Sequence, residues 1–398
     1  MASWNRPSST PPSICSWSRC CSPAPHSSGN PSNRRPARRH RNPAASSRSA
    51  TNPRTCPQTA RGMGLSNAPD ITVVICTYNR ASILRLALDA LTAQQTEGRF
   101  TYEIVVVNDR STDETAEVVA EFEQRGDVPL RMVMAAGEGV AAARNRGRDA
   151  ALGTWIAYTD DDQINDPRWL VELWVLAVDH KARCVGGSVH LRFEEEPSIP
   201  LTWVTKSILG YKENPEGRVT KFTSCPGTGS VMFHRSVFDE VGGFNNALHW
   251  GGEDADLMLR VMNAGIEVWF TPKSIVHHLI PPYRVQESYF RWASLRVGVA
   301  LAELDGQVRG KAMLAVRCAA RVAKGMLFEL PMMLLAQLTG NRARALERKC
   351  VLWRCYTYAR ASAHYIAPGL FPQEKFFHGL TFRVERSAVA KTHAAESA

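Results

Sequence analysis

ITVVICTYNR, residues 71–80, is where the sequence changes character. Ahead of it, from Met1 to about Pro69, Ser, Pro and Arg dominate, and ten arginines meet no Asp or Glu. Such a segment buries too little apolar surface to offset the entropy of ordering. Residues 1–69 are therefore expected to form a disordered basic extension: an unstructured tail, a mis-assigned start upstream of Met63, or a basic arm or organelle transit peptide. From Ile71 the β-branched run predicts a strand over Ile71–Cys76, with Thr77-Tyr78-Asn79-Arg80 as a polar turn at its carboxyl end.

The same unit then recurs. A helical pattern from Ile83 to Ala93 precedes a strand at Glu103–Val107, and Thr115 to Glu123 precedes Leu130–Met134. Val140 to Leu152 then leads into Trp155–Thr159. Strands alternating with helices predict an α/β fold with a doubly wound, mainly parallel sheet. Sheets of this kind bind ligands at the carboxyl ends of their strands. Thr77 to Arg80, Asn108-Asp109-Arg110-Ser111 and Asp160-Asp161-Asp162 should thus line one rim.

Beyond Cys184 the pattern becomes mixed, with short strands, Gly-rich turns and one clear helix, Asp254 to Ala264, whose Leu257, Val261 and Ala264 recur at helical spacing. After Pro281 and Pro282 it is mostly helical up to about His364, with arginines among Leu, Val and Ala, and reads as amphipathic helices. No run reaches the roughly 18 apolar residues of a membrane span. Met326 to Leu338 comes nearest but contains Glu329 and Pro331.

Charge excludes one class of partner. The formal net charge of +10 resides in the extension, because the rest holds 38 basic and 38 acidic residues. The folded part carries no surplus of the kind a nucleic-acid binder shows. Ten cysteines, four of them in the extension, form neither a CxxC pair nor a zinc-type spacing. Reduced thiols in a cytoplasmic protein are expected.

Three consecutive carboxylates after an apolar strand repel one another unless a cation or hydrogen-bond donors compensate them. A divalent cation, Mg²⁺ or Mn²⁺, is the economical explanation, since such ions bridge carboxylates to phosphates. A solvated acidic turn ahead of Pro167 is the alternative. Asp113 is placed to cap the next helix, while Asp109, nearer the strand end, either serves the same turn or accepts from a base or ribose. The helix opening at Gly139, with Arg144 one turn in, serves packing or an anionic diphosphate. Glu253, Asp254 and Asp256 at a helix start serve its dipole, or one of them deprotonates a hydroxyl. His277 and His278 follow an apolar run, where a structural role competes with metal ligation.

Taken in order, these motifs resemble the family-2 glycosyltransferases of the GT-A fold. The resemblance covers about Asp70 to Pro282 and rests on Thr77-Tyr78-Asn79-Arg80, Asn108-Asp109-x-Ser111-Thr112-Asp113, Ala143-Arg144-Asn145-x-Gly147, Asp160-x-Asp162 with Pro167 and Trp169-Leu170, Gly242-Gly243-Phe244, Glu253-Asp254 and Val276-His277. It implies a GT-A domain over residues 70–282, beyond which the residue pattern gives a helical region at 283–370 and a tail at 371–398. It also implies that Thr77, Asn79, Arg80, Asp109, Arg144, Asp160 and Asp161 bind a nucleotide sugar, and that Asp162, Asp160 and His277, or failing it His278, hold the metal. Asp254 would be the catalytic base, with Glu253 beside it in the catalytic set. The implied reaction is an inverting transfer of one sugar from a UDP-sugar to a glycan or lipid-linked acceptor in cell-envelope synthesis. Polymer synthases of the family carry Gln-x-x-Arg-Trp, whereas Gln286 to Arg291-Trp292 has another spacing, so non-processive transfer is expected. Arg309, Lys311, Arg317, Arg321 and Lys324 beside apolar positions add peripheral contact with the inner face of a membrane. A nucleotidyltransferase of related fold and a non-catalytic sugar- or membrane-binding module are the rival readings.

Overall fold

The computed structural model describes residues 68–248 and 251–372. The expectations for the basic extension, and for the tail past residue 372, lie outside the described residues. From Ile71 the order is β1 (Ile71–Thr77), α1 (Ala81–Thr92), β2 (Tyr102–Asn108), α2 (Thr115–Arg125), β3 (Leu130–Met134), α3 (Val140–Ala150) and β4 (Trp155–Asp160). There follow β5 (Gln163–Asn165), α4 (Trp169–His180), β6 (Cys184–Phe193), α5 (Trp203–Ile208), β7 (Gly217–Arg218), β8 (Val231–His234), α6 (Ser236–Val241), α7 (Glu253–Asn263) and β9 (Val268–Ile280). The remainder is helical: α8 (Glu287–Lys324), a π-helical turn (Gly325–Glu329), α9 (Leu330–Leu338) and α10 (Arg342–Ile366).

Among the described residues one sheet takes the order β3-β2-β1-β4-β8-β6-β9-β5, with β7 on β9. β1 to β4 are parallel neighbours, β8 runs antiparallel to β4, and the far half is mixed. Alternation along β1 shows why its middle, Val73 to Ile75, is apolar on both faces. Ile71, Val73 and Ile75 meet Leu84 and Leu88 of α1, Phe122 of α2 and Trp169 of α4. Val74 joins Val105 and Val107 against Ala141 and Ala143 of α3 and Leu257 of α7. A strand covered on both faces has no polar side to show.

The sequence pattern gave no warning of α4 or β5. WLVELWVLAV at α4 is apolar nearly all round, which hides a helical period and marks a helix that is buried rather than amphipathic. Trp169 is fully buried there, donating from Nε1 to Ser230 Oγ at 3.0 Å. β5 is only three residues long, yet it pairs Gln163 with His278 and so carries β9 up to the end of β4.

Past Pro282, α8 and α10 pack through Val299, Ala302, Leu314, Tyr358 and Ala361. The start of α8 joins Ile280 and Leu209 through Phe290, Leu346 and Cys350. Within α8, Gly310 has φ 75°, a left-handed conformation that breaks the run into two helical pieces.

Gly147 shows how tightly α3 lies on the sheet. A methyl there would run into Val74 Cγ1 and stand 3.0 Å from Val107 Cγ2. Overpacking of this kind costs about 1–3 kcal/mol, against a gain of about 1 kcal/mol from replacing a helical glycine. Gly147→Ala is therefore expected to lower the urea midpoint of unfolding, and a raised midpoint would show that α3 has room to move.

Candidate active site

β1 pairs Thr77 with Asn108 of β2 and Cys76 with Asp160 of β4, so three carboxyl-terminal strand ends stand level. The polar clusters share one rim, as expected from parallel pairing. The loops there are stitched together by side chains. Asn79, at φ 51°, accepts Thr112 N at 2.7 Å and donates its own amide to Ser111 Oγ at 2.9 Å. Asp113 accepts Thr115 N at 3.2 Å and Ala81 N at 3.0 Å, so it caps α2 and also anchors the start of α1. Asp109 accepts Gly137 N at 2.9 Å, tying the end of β2 to the loop before α3. Thr77 is buried at the end of β1.

The three acids after β4 are compensated by arginines from three separate segments. Arg80 donates to Asp161 Oδ1 at 2.6 Å and to Asp162 Oδ2 at 3.1 Å. Arg284, just past β9, donates to the same Asp162 oxygen at 2.9 Å and to His278 Nε2 at 2.8 Å. Buried Arg144 of α3 joins Asp160 Oδ1 at 3.0 Å to Glu253 Oε1 at 2.6 Å. The repulsion noted in the sequence is thus relieved by guanidinium groups. Asp161 and Asp162 are buried, whereas the Asp160 side chain keeps 39% of its surface exposed and can meet a ligand.

Of the two histidines, His278 is the one beside Asp162, with Nε2 3.3 Å from Oδ1. His277 instead stands edge-on to His190, ring centres 6.0 Å apart. Successive residues of a strand point to opposite faces, so only one of the pair can reach the acids. The first-choice assignment of His277 to the acid cluster is corrected by the register of β9 against β5. Arginine has donors only, so the one lone pair of His278 Nε2 accepts from Arg284 at 2.8 Å, and a cation beside Asp162 would take that lone pair in place of the guanidinium. That donor chemistry fits a divalent cation, with guanidinium in the cationic role here. Among the described residues no cluster of three or more His, Cys, Asp or Glu side chains could hold the ion alone. A cation at Asp162 and His278 would need oxygens from a ligand, as Mg²⁺ sites completed by phosphates do.

Asp254 opens α7 after Gly251 and Gly252, both at positive φ, which Cβ-bearing residues rarely adopt. Burial, and then the neighbouring Glu253 charge, raise its carboxyl above the ordinary range, with Arg144 opposing. Its floor is a glycine pair absent from the sequence reading. A Cβ on Gly227 would lie 3.4 Å from Asp254 Oδ2, and one on Gly229 would lie 3.2 Å from Asp160 Oδ2. Gln163 Oε1 accepts Asp160 N at 3.2 Å and so fixes the turn. Gly227-Thr228-Gly229 carried a signal that could have been read, since closely spaced glycines before a strand mark a close approach; Arg284 carried none. Cys76 also reaches this rim, but burial pushes its thiol up to about 12, so it stays protonated.

Two further motifs explain each other. Asn145 of α3 accepts Phe244 N and donates to Phe244 O, both at 2.8 Å. A side chain on Gly243 would collide with Arg148 and Asn145. Residues 72–242 match the model of glycosyl transferase family 2, and residues 213–282 match that of the N-terminal domain of galactosyltransferase. Residues 72–242 thus form a glycosyltransferase family 2 domain. Chondroitin synthase of Escherichia coli is 27% identical over 55% of this chain and 36% of its own length. The probable glycosyltransferase YdaM of Bacillus subtilis is 27% identical over 53% of this chain and 51% of its own. Glycosyltransferase AglE of Haloferax volcanii is 27% identical over 55% and 69%. The chain thus spans about half or less of the first two. A mannosyltransferase from Pyrobaculum calidifontis, solved with GDP-Man and Mn²⁺, aligns over 77% of this chain and 87% of its own at 20% identity and a TM-score of 0.46.

In this family-2 domain the Arg144–Glu253 pair is buried on both sides, and breaking such a pair costs more than replacing it. Arg144→Met is expected to destabilise the fold by about 3 kcal/mol, and Arg144→Met with Glu253→Gln to recover much of that. Equal unfolding free energies for the single and double variants would show that the two charges are independent.

Proposed function

We propose that the chain is an inverting, metal-dependent, non-processive glycosyltransferase. It moves one sugar from a nucleotide diphosphate donor, a UDP-sugar, to a hydroxyl of a glycan or lipid-linked acceptor, at the cytoplasmic side of a membrane. The observation that carries this reading is the meeting of Asp160 and Asp254 over the Gly227 and Gly229 floor. They come from β4 and α7, far apart in sequence, yet the Asp160 charge is felt at Asp254, and the two glycines leave room beside each carboxylate. The relatives named above as glycosyltransferases support the transfer of sugar.

In this reading Asp109 and the loop at Thr77, Asn79 and Arg80 receive the nucleoside, and Asp160 meets the ribose. Asp161 keeps Arg80 in place. Arg144, between Asp160 and Glu253, positions both, so Glu253 acts through Arg144 and Asp254 alone touches the acceptor. A divalent cation held by Asp162 and His278, with Asp160 beside them, would neutralise charge on the departing diphosphate. The Asp254 carboxylate accepts the proton of the acceptor hydroxyl as its oxygen attacks the anomeric carbon. The bond from that carbon to the phosphate oxygen breaks, the nucleoside diphosphate leaves, and the configuration inverts. No enzyme nucleophile enters, in keeping with the protonated Cys76.

Release of nucleoside diphosphate, followed with Mn²⁺ or Mg²⁺ across a panel of donors, tests this. Asp254→Asn is expected to lower kcat by about 10²–10⁴, and Asp162→Ala to abolish the metal response. Turnover without metal, or full acceptor-dependent activity in Asp254→Asn, would sink the mechanism.

The raised Asp254 carboxyl gives a further expectation with a definite sign. The base must be ionised, so the acid limb of kcat/KM lies above the range of an ordinary Asp. Glu253→Gln removes the negative charge that helps raise it and frees Arg144 to act on it, so the limb moves to lower pH. A limb moving upward would place the base elsewhere.

A further inference from the structure

Apolar exposure in the carboxyl-terminal helices is concentrated in one short run. The π-helical turn leaves Met326, Leu327 and Phe328 59%, 68% and 65% exposed, and α9 adds Leu334, Leu335 and Leu338, the last at 86%. Spacing accounts for this. Leu327, Leu334 and Leu338 recur at seven and four residues along one side of a helix, while Gly325, Glu329 and Ala336 are buried on the other. The buried side meets α10, with Gly325 against Cys355 and Glu329 paired to Arg348 at 2.8 Å. Pro331 has no amide for the helical ladder, and the π turn just ahead of it absorbs the break.

A contiguous apolar face of this kind marks an interaction surface, and the charges around it select the partner. Between Gly306 and Leu346 the chain carries seven Lys and Arg but one acid, Glu329, and of the seven Arg309 and Arg317 are paired to Asp305 just ahead of the stretch. Glu329 is buried and held by Arg348 and Lys324. Arg342 and Arg344, at the start of α10 close after Leu338, are exposed, while Lys311 lies by the far end of α10 and donates to Ile366 O at 3.3 Å. We propose that the face running from Leu327 to Leu338, with its rim of cations, docks on an anionic lipid bilayer. A second copy of the chain would bring like charges together, whereas anionic headgroups meet them. No helix among the described residues is long and apolar enough to cross a membrane, so the contact is with the interface. Its purpose rests on the lipid-linked acceptor reading, since docking holds the donor site where such an acceptor lies.

Flotation of the full chain with vesicles of phosphatidylcholine, with or without phosphatidylglycerol, tests the proposal against the variant Leu334→Asp/Leu338→Asp. Both positions are exposed, and an unchanged thermal midpoint verifies the fold. The wild type is expected to float with the anionic vesicles only and to be released by salt. The double variant is expected to bind about tenfold or more weakly. The arginines before Asp70 offer lipids a second, purely electrostatic contact, so equal flotation of wild type and variant overturns the proposal. So do failure of the wild type to float, and a wild-type dimer that the variant converts to monomer. Donor turnover without vesicles, expected to be equal in both, reports separately on the glycosyltransferase reading.

Discussion

Asp160, Asp161 and Asp162 crowd three carboxylates into one turn at the end of β4, two of them buried, and a fold can keep such a turn only by bringing cations to it. Arg80 comes from the loop after β1, Arg144 from α3 and Arg284 from the turn after β9. Each arginine ties its own segment to the acids. The ion pairs therefore organise the rim as much as they relieve repulsion. Left singly, any of these charges would be expensive; as a set they fix three loops and a helix around one point.

The sheet supplies the geometry on which that set depends. Parallel pairing of β1 with β2 and β4 brings three strand ends level, and the glycines at 227 and 229 keep the space above them open. In the proposed reaction two functions are separated across that space. Asp162 and His278 offer electron pairs suited to a cation, and Asp254, raised by burial and by Glu253, is suited to taking up a proton. Arg144 lies between the halves, so a change of charge on one side is felt on the other.

Much of this was legible from residue pattern. β1 to β4 lie within a residue or so of their apolar runs, because strands buried on both faces leave no polar interruption. Strand-end chemistry followed from the rule that parallel sheets bind at one end. What escaped the sequence was what depends on register and on packing between distant segments. His277 and His278 are equivalent as neighbours, and only the pairing of Gln163 with His278 shows which one turns to Asp162. Arg284 has no motif; its meaning comes from an acid far upstream. α4 lost its helical period because every side of it is covered. The exposed face of α9 was equally hidden, since apolar residues at helical spacing look the same whether or not an element covers them.

Arg284 and Asp162 are 122 residues apart, and β9, which delivers Arg284 and His278, is the last strand of the sheet. During synthesis β1 to β4 can pair as they leave the ribosome, but their acid turn then waits without two of its partners. Contacts between distant residues form late because loop closure must come first. The nascent domain thus passes through a stage in which Arg80 and Arg144 already meet the acids while Asp162 still lacks Arg284 and His278. Only emergence of the segment after Pro282 ends that stage, so the order of translation itself delays completion of the acid turn.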